Sequence, residues 1–336
     1  MKIAIHHKQD SFSQYWVDYC EENSISYVVV DAYKNDIVYQ VADCDVFMWH
    51  HHHGDYRDVL FAKQLLYSLQ RTGKKVFPDF NTTWHFDDKV GQKYLLESIS
   101  APMVPSYVFY SKQEALRWLE TAKLPIVFKL RGGAGASNVK LIKTKRQAKN
   151  VIRQSFGKGF PQFNRFSYLT ESYKMWVNGK ESFISVLKGL YMFIVSTKYS
   201  RMHSKEKGYV YFQEFIPQNE TDYRIKVVDG KTWGFQRKVR KKDFRASGSG
   251  ELLFDSSRIP IEMVKIAQDV ARKLSLQSVA FDFIQDKINN RYLIIEMSYA
   301  FGFDDRERVN GYWDESLNWH KEEFNPFEWM IQSLIR

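Results

Sequence analysis

Residues Ala280–Ser298 read AFDFIQDKINNRYLIIEMS. Two apolar runs flank Asn289 and Asn290, residues suited to a turn, so the segment predicts a pair of antiparallel strands. Asp282 lies inside the first run and Glu296 ends the second. Such a pair can set two carboxylates side by side, where their repulsion is costly unless a hard divalent cation offsets it. Magnesium is the natural choice if phosphates complete its shell. Taken alone, either acid could instead serve a buried salt bridge. Asp286, nearer the turn, reads as solvated.

Upstream lies TDYRIKVVDGKTWGFQRKVRKKDFRASGSGE, Thr221–Glu251. Arg224 falls on an alternating strand, and Asp229-Gly230 marks a hairpin turn before a second strand near Trp233. Arg237 to Arg245 supplies several positive charges, followed by the small-residue loop Ala246–Gly250. A guanidinium can hold two phosphoryl oxygens at once, which makes Arg224 and Arg245 the preferred phosphate contacts. A solvated basic hairpin is the competing reading.

Earlier still, YVYFQEFIP predicts a strand ending in Gln213, Glu214, Phe215 and Ile216. An extended segment of this kind could offer backbone groups to an adenine edge and apolar side chains to its ring. It could equally be a sheet strand of mixed exposure. The strand IVFKL then runs into RGGAGASNVKLI. Gly132, Gly133 and Gly135, with Ala134, Ala136 and Ser137, leave little side-chain bulk, so successive N–H groups can approach phosphate oxygens. The P-loop ending in Gly-Lys-Ser/Thr is absent, and the glycine spacing is not that of a dinucleotide fingerprint. Lys129, on the preceding strand, would supply the cation. A glycine-rich hairpin with no ligand is the alternative.

The opening of the chain alternates strands and helices: Lys2–His6, Ser13–Glu22, Ser26–Val30, Val46–Trp49, Tyr56–Arg71 and Lys75–Phe77. This pattern predicts a small α/β lobe with a mostly parallel sheet, closing near Phe80. His50 to His53 follow a strand directly and could form a loop at the sheet edge, line a substrate or bind a metal, although neighbouring residues rarely converge on one ion. Asp88–Ser98 reads as a helix, and Ser111–Glu120 as one opened by Ser111 with Glu114 in capping-box spacing. Arg146–Lys158 is helical and basic, and Gly179–Leu187 is a further helix in an aromatic and serine-rich stretch that could shape an acceptor site.

The chain has 336 residues, 44% of them hydrophobic, enough for a substantial core in two or three lobes. The boundaries expected are 1–80 for the N-terminal lobe, 81–210 for a central region and 211–336 for a C-terminal lobe with its tail. No run approaches the roughly 20 apolar residues of a membrane span, and the N-terminus does not read as a signal peptide. Two cysteines, Cys20 and Cys44, are too few for a disulfide framework and fit a reducing, cytoplasmic setting. The net charge of +10 favours an anionic partner: a nucleotide, an acidic substrate or nucleic acid.

In order and spacing, these segments resemble the ATP-grasp superfamily, especially its RimK-like and glutathione-synthetase-like carboxylate–amine ligases, over roughly Asp88 to Ser298. The resemblance implies an α/β protein with an N-terminal parallel-sheet lobe and a nucleotide site between two α+β lobes. It implies ATP and magnesium as cofactors, with manganese able to replace magnesium. Lys89, in FDDKVGQKYLL, and Lys129 would contact ATP phosphates, and Arg131 to Ser137 would form the flexible loop. QEFI would be the adenine-holding linker, with Asp222 near the ribose. Arg224 matches the arginine of the D-x-R strand, and Asp243 to Arg245 the DFR segment. Asp282 and Glu296 match the paired metal ligands. Ser298 stands where the family has asparagine, so one metal position would be altered or bridged by water.

The resemblance implies phosphoryl transfer to a carboxylate, then attack by an amine on the acylphosphate. Small-molecule carboxylate and amine substrates are therefore expected, in peptide-like metabolite production or cell-surface polysaccharide modification. A small-molecule kinase with the same ATP apparatus is one alternative. A nucleic-acid-binding protein is another, although no recognised nucleic-acid module is present. The tail with Trp313, Trp319 and Trp329 could line the acceptor pocket, mediate dimer contacts or complete the core.

Overall fold

The computed structural model describes residues 1–9, 11–133, 138–161, 176, 204–239 and 251–336. The expectations placed on Gly135, Ala136, Ser137, the helix at 179–187, Asp243, Arg245 and the loop at 246–250 lie outside the described residues. Two compact units emerge: Met1–Phe86 with Tyr94–Met103 and Gln218–Arg336, and Asp87–Lys93 with Val104–Pro217.

The first unit opens with β1 (Ile3–His6), α1 (Phe12–Glu22), β2 (Tyr27–Val30), α2 (Ile37–Gln40), β3 (Val46–Trp49), α3 (Tyr56–Arg71), β4 (Lys75–Phe77) and α4 (Phe80–Thr83). The four strands form a parallel sheet in the order β2-β1-β3-β4, as the alternation of strands and helices predicts. Both faces are apolar, as a parallel sheet with covered faces requires. Ile3, Ile5, Val46 and Met48 join one core cluster, and Ala4, Phe47 and Trp49 another with α3.

Helix α5 (Lys89–Ser98) begins in the second unit and ends in the first. The second unit continues with β5 (Ser106–Phe109), α6 (Lys112–Thr121), β6 (Ile126–Lys129), β7 (Lys140–Ile142), α7 (Lys145–Ser155) and β8 (Val210–Glu214). Its antiparallel sheet runs β5-β8-β6-β7. The predicted cap holds: the Ser111 hydroxyl accepts from the Glu114 N–H at 3.4 Å. Thr144 and Gln147 close a full capping box on α7.

Back in the first unit come β9 (Thr221–Val228), β10 (Lys231–Lys238), β11 (Leu252–Leu253), α8 (Ile261–Lys273), β12 (Ser278–Asp286), β13 (Arg291–Ser298), β14 (Tyr312–Trp313), β15 (Trp319–His320) and α9 (Pro326–Ile335). The sheet order is β13-β12-β9-β10-β14-β15, with β11 on β10. Asp229 and Gly230 take φ of 49° and 76°, the left-handed pair a tight two-residue hairpin turn needs. One sheet face is apolar: Ile225, Val227, Val279, Phe281 and Met297 pack on Met263, Val264, Ala267 and Val270 of α8.

Helices α8 and α9 were not foreseen. The apolar spacing of α8 is helical, whereas α9 is announced by Asn325, which caps the Phe327 N–H at 3.1 Å, and by Pro326 at the first turn. Phe327, Trp329, Met330 and Ile331 of α9 share a core with Trp16 of α1. Trp313 and Trp329 are thus core residues, whereas Trp319 is partly exposed. One reading is corrected: Asp286 is buried, because it accepts hydrogen bonds from the Asn289 side chain and the Arg291 guanidinium, which replace water inside the turn.

Candidate active site

The register across β10, β9, β12 and β13 decides which polar side chains meet. Arg224 lies opposite Asp282 and, on its other side, Phe235. Asp282 lies opposite Glu296, and Ala280 opposite Ser298. Directly opposed residues share a face, and so do residues two apart on one strand. Asp222, Arg224 and Lys226 therefore line the face away from α8, with Arg237, Asp282 and Glu296. With one face filled by apolar packing on α8, the charged residues of these strands collect on the other.

A bulge makes this arrangement possible. Asp282 pairs with Glu296, yet Phe283 pairs with Ile294, so Ile295 is an extra residue on β13. Under strict alternation Ile294 and Glu296 would share a face. The bulge lets Ile294 enter the core against α8 while Glu296 stays beside Asp282.

The Asp282 carboxylate is held by two arginines. Arg224 donates from Nε at 2.9 Å and from an η nitrogen at 3.0 Å, and Arg237 approaches at 2.8 Å. Burial opposes its ionisation, but the two guanidinium groups outweigh burial and hold its pKa below the ordinary carboxylate value. Arg237 also makes a two-pronged pair with Asp222, at 2.7 and 2.6 Å. Asp222 is accordingly committed to Arg237, and burial pushes its pKa up against that pull. Ser298 donates from Oγ to the Ala300 carbonyl at 2.7 Å, which leaves its oxygen able to accept or ligate.

Sequence reasoning passed over Arg237 as an individual. Counting outward from the turn at Asp229-Gly230 pairs Val228 with Lys231 and, six residues on, Asp222 with Arg237. A hairpin register was therefore the signal that could have found it. Deeper on the same face, Lys226 is fully buried and donates to Glu307 at 2.6 and 2.8 Å and to the Gly302 carbonyl at 2.7 Å. Trp233 adds an N–H to Glu307 at 2.7 Å. This cluster ties the loop after Ser298 to β9.

Of the residues expected at the nucleotide, Asp222 and Arg224 lie on β9 of the first unit, whereas the two lysines, the start of the glycine-rich loop and the QEFI segment fall in the second. Lys89 opens α5, and its ammonium donates to the Gly133 carbonyl at 2.8 Å. The Lys89 N–H donates to the Arg131 carbonyl at 2.9 Å, while Asp87 accepts from the Gly133 N–H at 2.8 Å. The Arg131 guanidinium reaches Asp88 at 2.6 Å, and the Arg131 N–H donates to the Tyr209 hydroxyl, which bonds Glu206 in turn. The start of the glycine-rich loop is thus clamped onto residues 87–89. Gly133 has φ of 106°, which disfavours any side chain, and a Cβ at Gly132 would meet Asp87 at 3.2 Å.

Lys129 ends β6 and is buried. Gln213 and Glu214 end β8, and Phe215 and Ile216 follow beyond its last ladder pair. The Gln213 amide donates to Ser106 at 3.1 Å, and the Tyr107 hydroxyl to Glu214 at 2.8 Å.

The donors on the first unit's charged face suit a hard divalent cation. Asp222, Asp282 and Glu296 stand on this face with Arg224 and Arg237. Asp282 uses three of about four acceptor positions on the arginines, so a cation would share it. Among the described residues no group of three or more His, Cys, Asp or Glu side chains forms a metal site. The two carboxylates with Ser298 would need oxygens from a ligand or water.

Neither a family model nor a curated protein sequence matches the chain. Solved structures do. A RimK domain ATP-grasp protein from Sphaerobacter thermophilus is similar at 12% identity and a TM-score of 0.55, over 100% of this chain and 99% of that one. D-alanine–D-alanine ligase from Bacillus anthracis is similar at 12% identity and a TM-score of 0.60, over 100% of this chain and 98% of that one. The ATP-grasp ligase PsnB, solved with a minimal precursor, magnesium and ADP, is similar at 11% identity and a TM-score of 0.54, over 100% and 98%. The chain therefore has the ATP-grasp fold, with its parallel N-terminal sheet and α+β units. The likeness spans several ligases and singles out no branch, RimK-like or other.

Proposed function

We propose that the chain is an ATP- and magnesium-dependent carboxylate–amine ligase that forms an amide through an acylphosphate and releases ADP. The observation that carries this reading is the row Arg224, Asp282, Glu296 on one sheet face, with Arg237 locking Asp282 from the side. PsnB, which shares the fold, binds magnesium and ADP, and D-alanine–D-alanine ligase joins two amino acids; both support the reading.

In this mechanism Lys89 and Lys129 hold phosphate oxygens, and the backbone at Gly132 and Gly133 approaches them without side-chain hindrance. The QEFI segment supplies backbone groups to the base. Asp282, Glu296 and Ser298 would hold magnesium, which when bound neutralises phosphate charge. Arg224 steadies the transferring γ-phosphoryl as a substrate carboxylate oxygen attacks phosphorus and ADP leaves. An amine then attacks the acyl carbon, phosphate departs and the amine loses a proton. The glycine-rich loop would keep water from the acylphosphate.

One further reading goes with this one. No described helix is long and apolar enough to cross a membrane, and both cysteines are free and buried, which supports a reducing cytoplasmic setting. The experiment that tests the function is a screen of carboxylates and amines with magnesium and ATP, read by mass spectrometry. A new amide with ADP is expected. AMP as the product, or a stable phosphorylated acceptor that never meets the amine, would overturn the ligase assignment, the latter in favour of a kinase.

A further inference from the structure

The charge of this chain is not spread over it. Between Lys112 and Lys158 there are twelve lysines and arginines but only two acids, Glu114 and Glu120, a net of +10. That equals the net charge of the whole chain, so the remainder carries thirty-seven residues of each sign. Lys129 and Arg131 belong to the candidate nucleotide residues; the other ten basic residues lie on or beside α6 and α7.

These helices pack one side on their own sheet: Ala115 and Leu119 of α6, and Ala148, Val151 and Ile152 of α7, share a core with Ile126, Phe128 and Phe212. The charges are therefore driven outward. Glu120 approaches Lys145 at 3.7 Å and Lys149 at 3.5 Å and so neutralises part of the surface. Lys112, Arg117, Lys143, Arg146, Arg153 and Lys158 are exposed and form no ion pair among the described residues. Concentrating like charges on a face with few compensating acids costs self-repulsion, which a polyanion would relieve.

We propose that the outward face of α6 and α7 docks an acidic polypeptide, a run of Asp and Glu on the chain that presents the acceptor. The naming of that chain as acceptor rests on the ligase reading; the docking itself does not. Arg146 and Arg153 are seven residues apart on α7, about 10.5 Å along its axis. An extended peptide covers that distance in about three residues at roughly 3.3 Å each. In the polyproline II form, with three residues per turn at about 3.1 Å each, acids at every third position share a face and can meet successive basic side chains. A single-stranded nucleic acid is disfavoured because α7, KRQAKNVIRQS, has no aromatic ring on which a base could stack, and the one ring of α6, Trp118, is packed against Tyr107, Phe109 and Phe212.

The test measures binding of a fluorescent oligoglutamate to the full chain without ATP, beside a single-stranded oligonucleotide of equal charge. Peptide binding should fall at least about tenfold from about 0.1 to 1 M salt, as the screening length shrinks from about 10 to 3 Å. The triple variant Lys143→Glu, Arg146→Glu, Arg153→Glu should weaken binding at least about tenfold, and the neutral pair Arg146→Gln, Arg153→Gln by an intermediate factor. Turnover of small free substrates should be unchanged in both, which also reports correct folding. Absence of peptide binding, binding indifferent to the triple variant, or tighter binding of the oligonucleotide would each overturn the proposal. Because the assay needs no catalysis, failure of the ligase reading would appear separately, as absence of amide product.

Discussion

Replacing Lys226 with Met probes the buried cluster behind the row Arg224, Asp282 and Glu296. The Lys226 ammonium makes three short bonds, two to Glu307 and one to Gly302, and lies 4.7 to 5.8 Å from the rings of Phe301, Phe235, Phe303 and Trp233. Methionine fills most of that volume but, among the described residues, leaves Glu307 accepting from the Trp233 N–H and from the Asp304 N–H at 3.0 Å with no cation. A buried carboxylate stripped of its cation costs about 3–5 kcal/mol, against a total stability of about 5–15 kcal/mol. The double variant Lys226→Met, Glu307→Leu removes both charges, so most of that loss should return. Urea unfolding followed by tryptophan fluorescence reads both, through the midpoint at constant slope. A single variant within about 1 kcal/mol of the parent, or a double variant no better than the single, would refute the claim that this pair is held by mutual compensation.

Three further outcomes are expected. Burial draws the Lys226 pKa down to about 8 although Glu307 pulls it up; the unfolded chain then binds more protons than the folded one from about pH 8 to the ordinary lysine value. Stability relative to Lys226→Met should therefore rise across that window, and a fall in pH-dependent urea midpoints would contradict the sign. Arg237→Ala frees Asp222 and the flank of Asp282, and should weaken magnesium binding about 10- to 100-fold, read by calorimetry with the nucleotide present; unchanged affinity would remove Arg237 from the site. Gly133→Ala forces a side chain onto a φ of 106° and should cost about 1–3 kcal/mol in the urea midpoint and weaken nucleotide binding, whereas a neutral result would mean the loop relaxes freely.

Local signals in the sequence located most of the elements. Strands β3 and β4 and helix α3 are marked by clean apolar periodicity and clear stops, and the turn at Asp229-Gly230 by its residue types. What escaped depends on tertiary context. The burial of Asp286 comes from partners supplied by its own turn, which composition cannot weigh against solvation. The pairing of Arg237 was encoded in hairpin register, a signal present but not counted out. The bulge at Ile295 has no local mark, since three consecutive apolar residues read as one continuous strand. It is set by competition between core burial of Ile294 and the place of Glu296 beside Asp282.

That competition also explains why acids can persist so close together. A central strand face offers little water, and Asp282 and Glu296 opposed in register would repel each other strongly if left alone. Arg224 and Arg237 approach from β9 and β10, on the side away from Glu296, so Asp282 stays ionised without consuming the charge of Glu296. The strand order β13-β12-β9-β10 keeps the two flanks apart: arginines on one flank of Asp282 fix its orientation, and Glu296 lies on the other, where in the proposed function a divalent ion with phosphate ligands would meet both carboxylates.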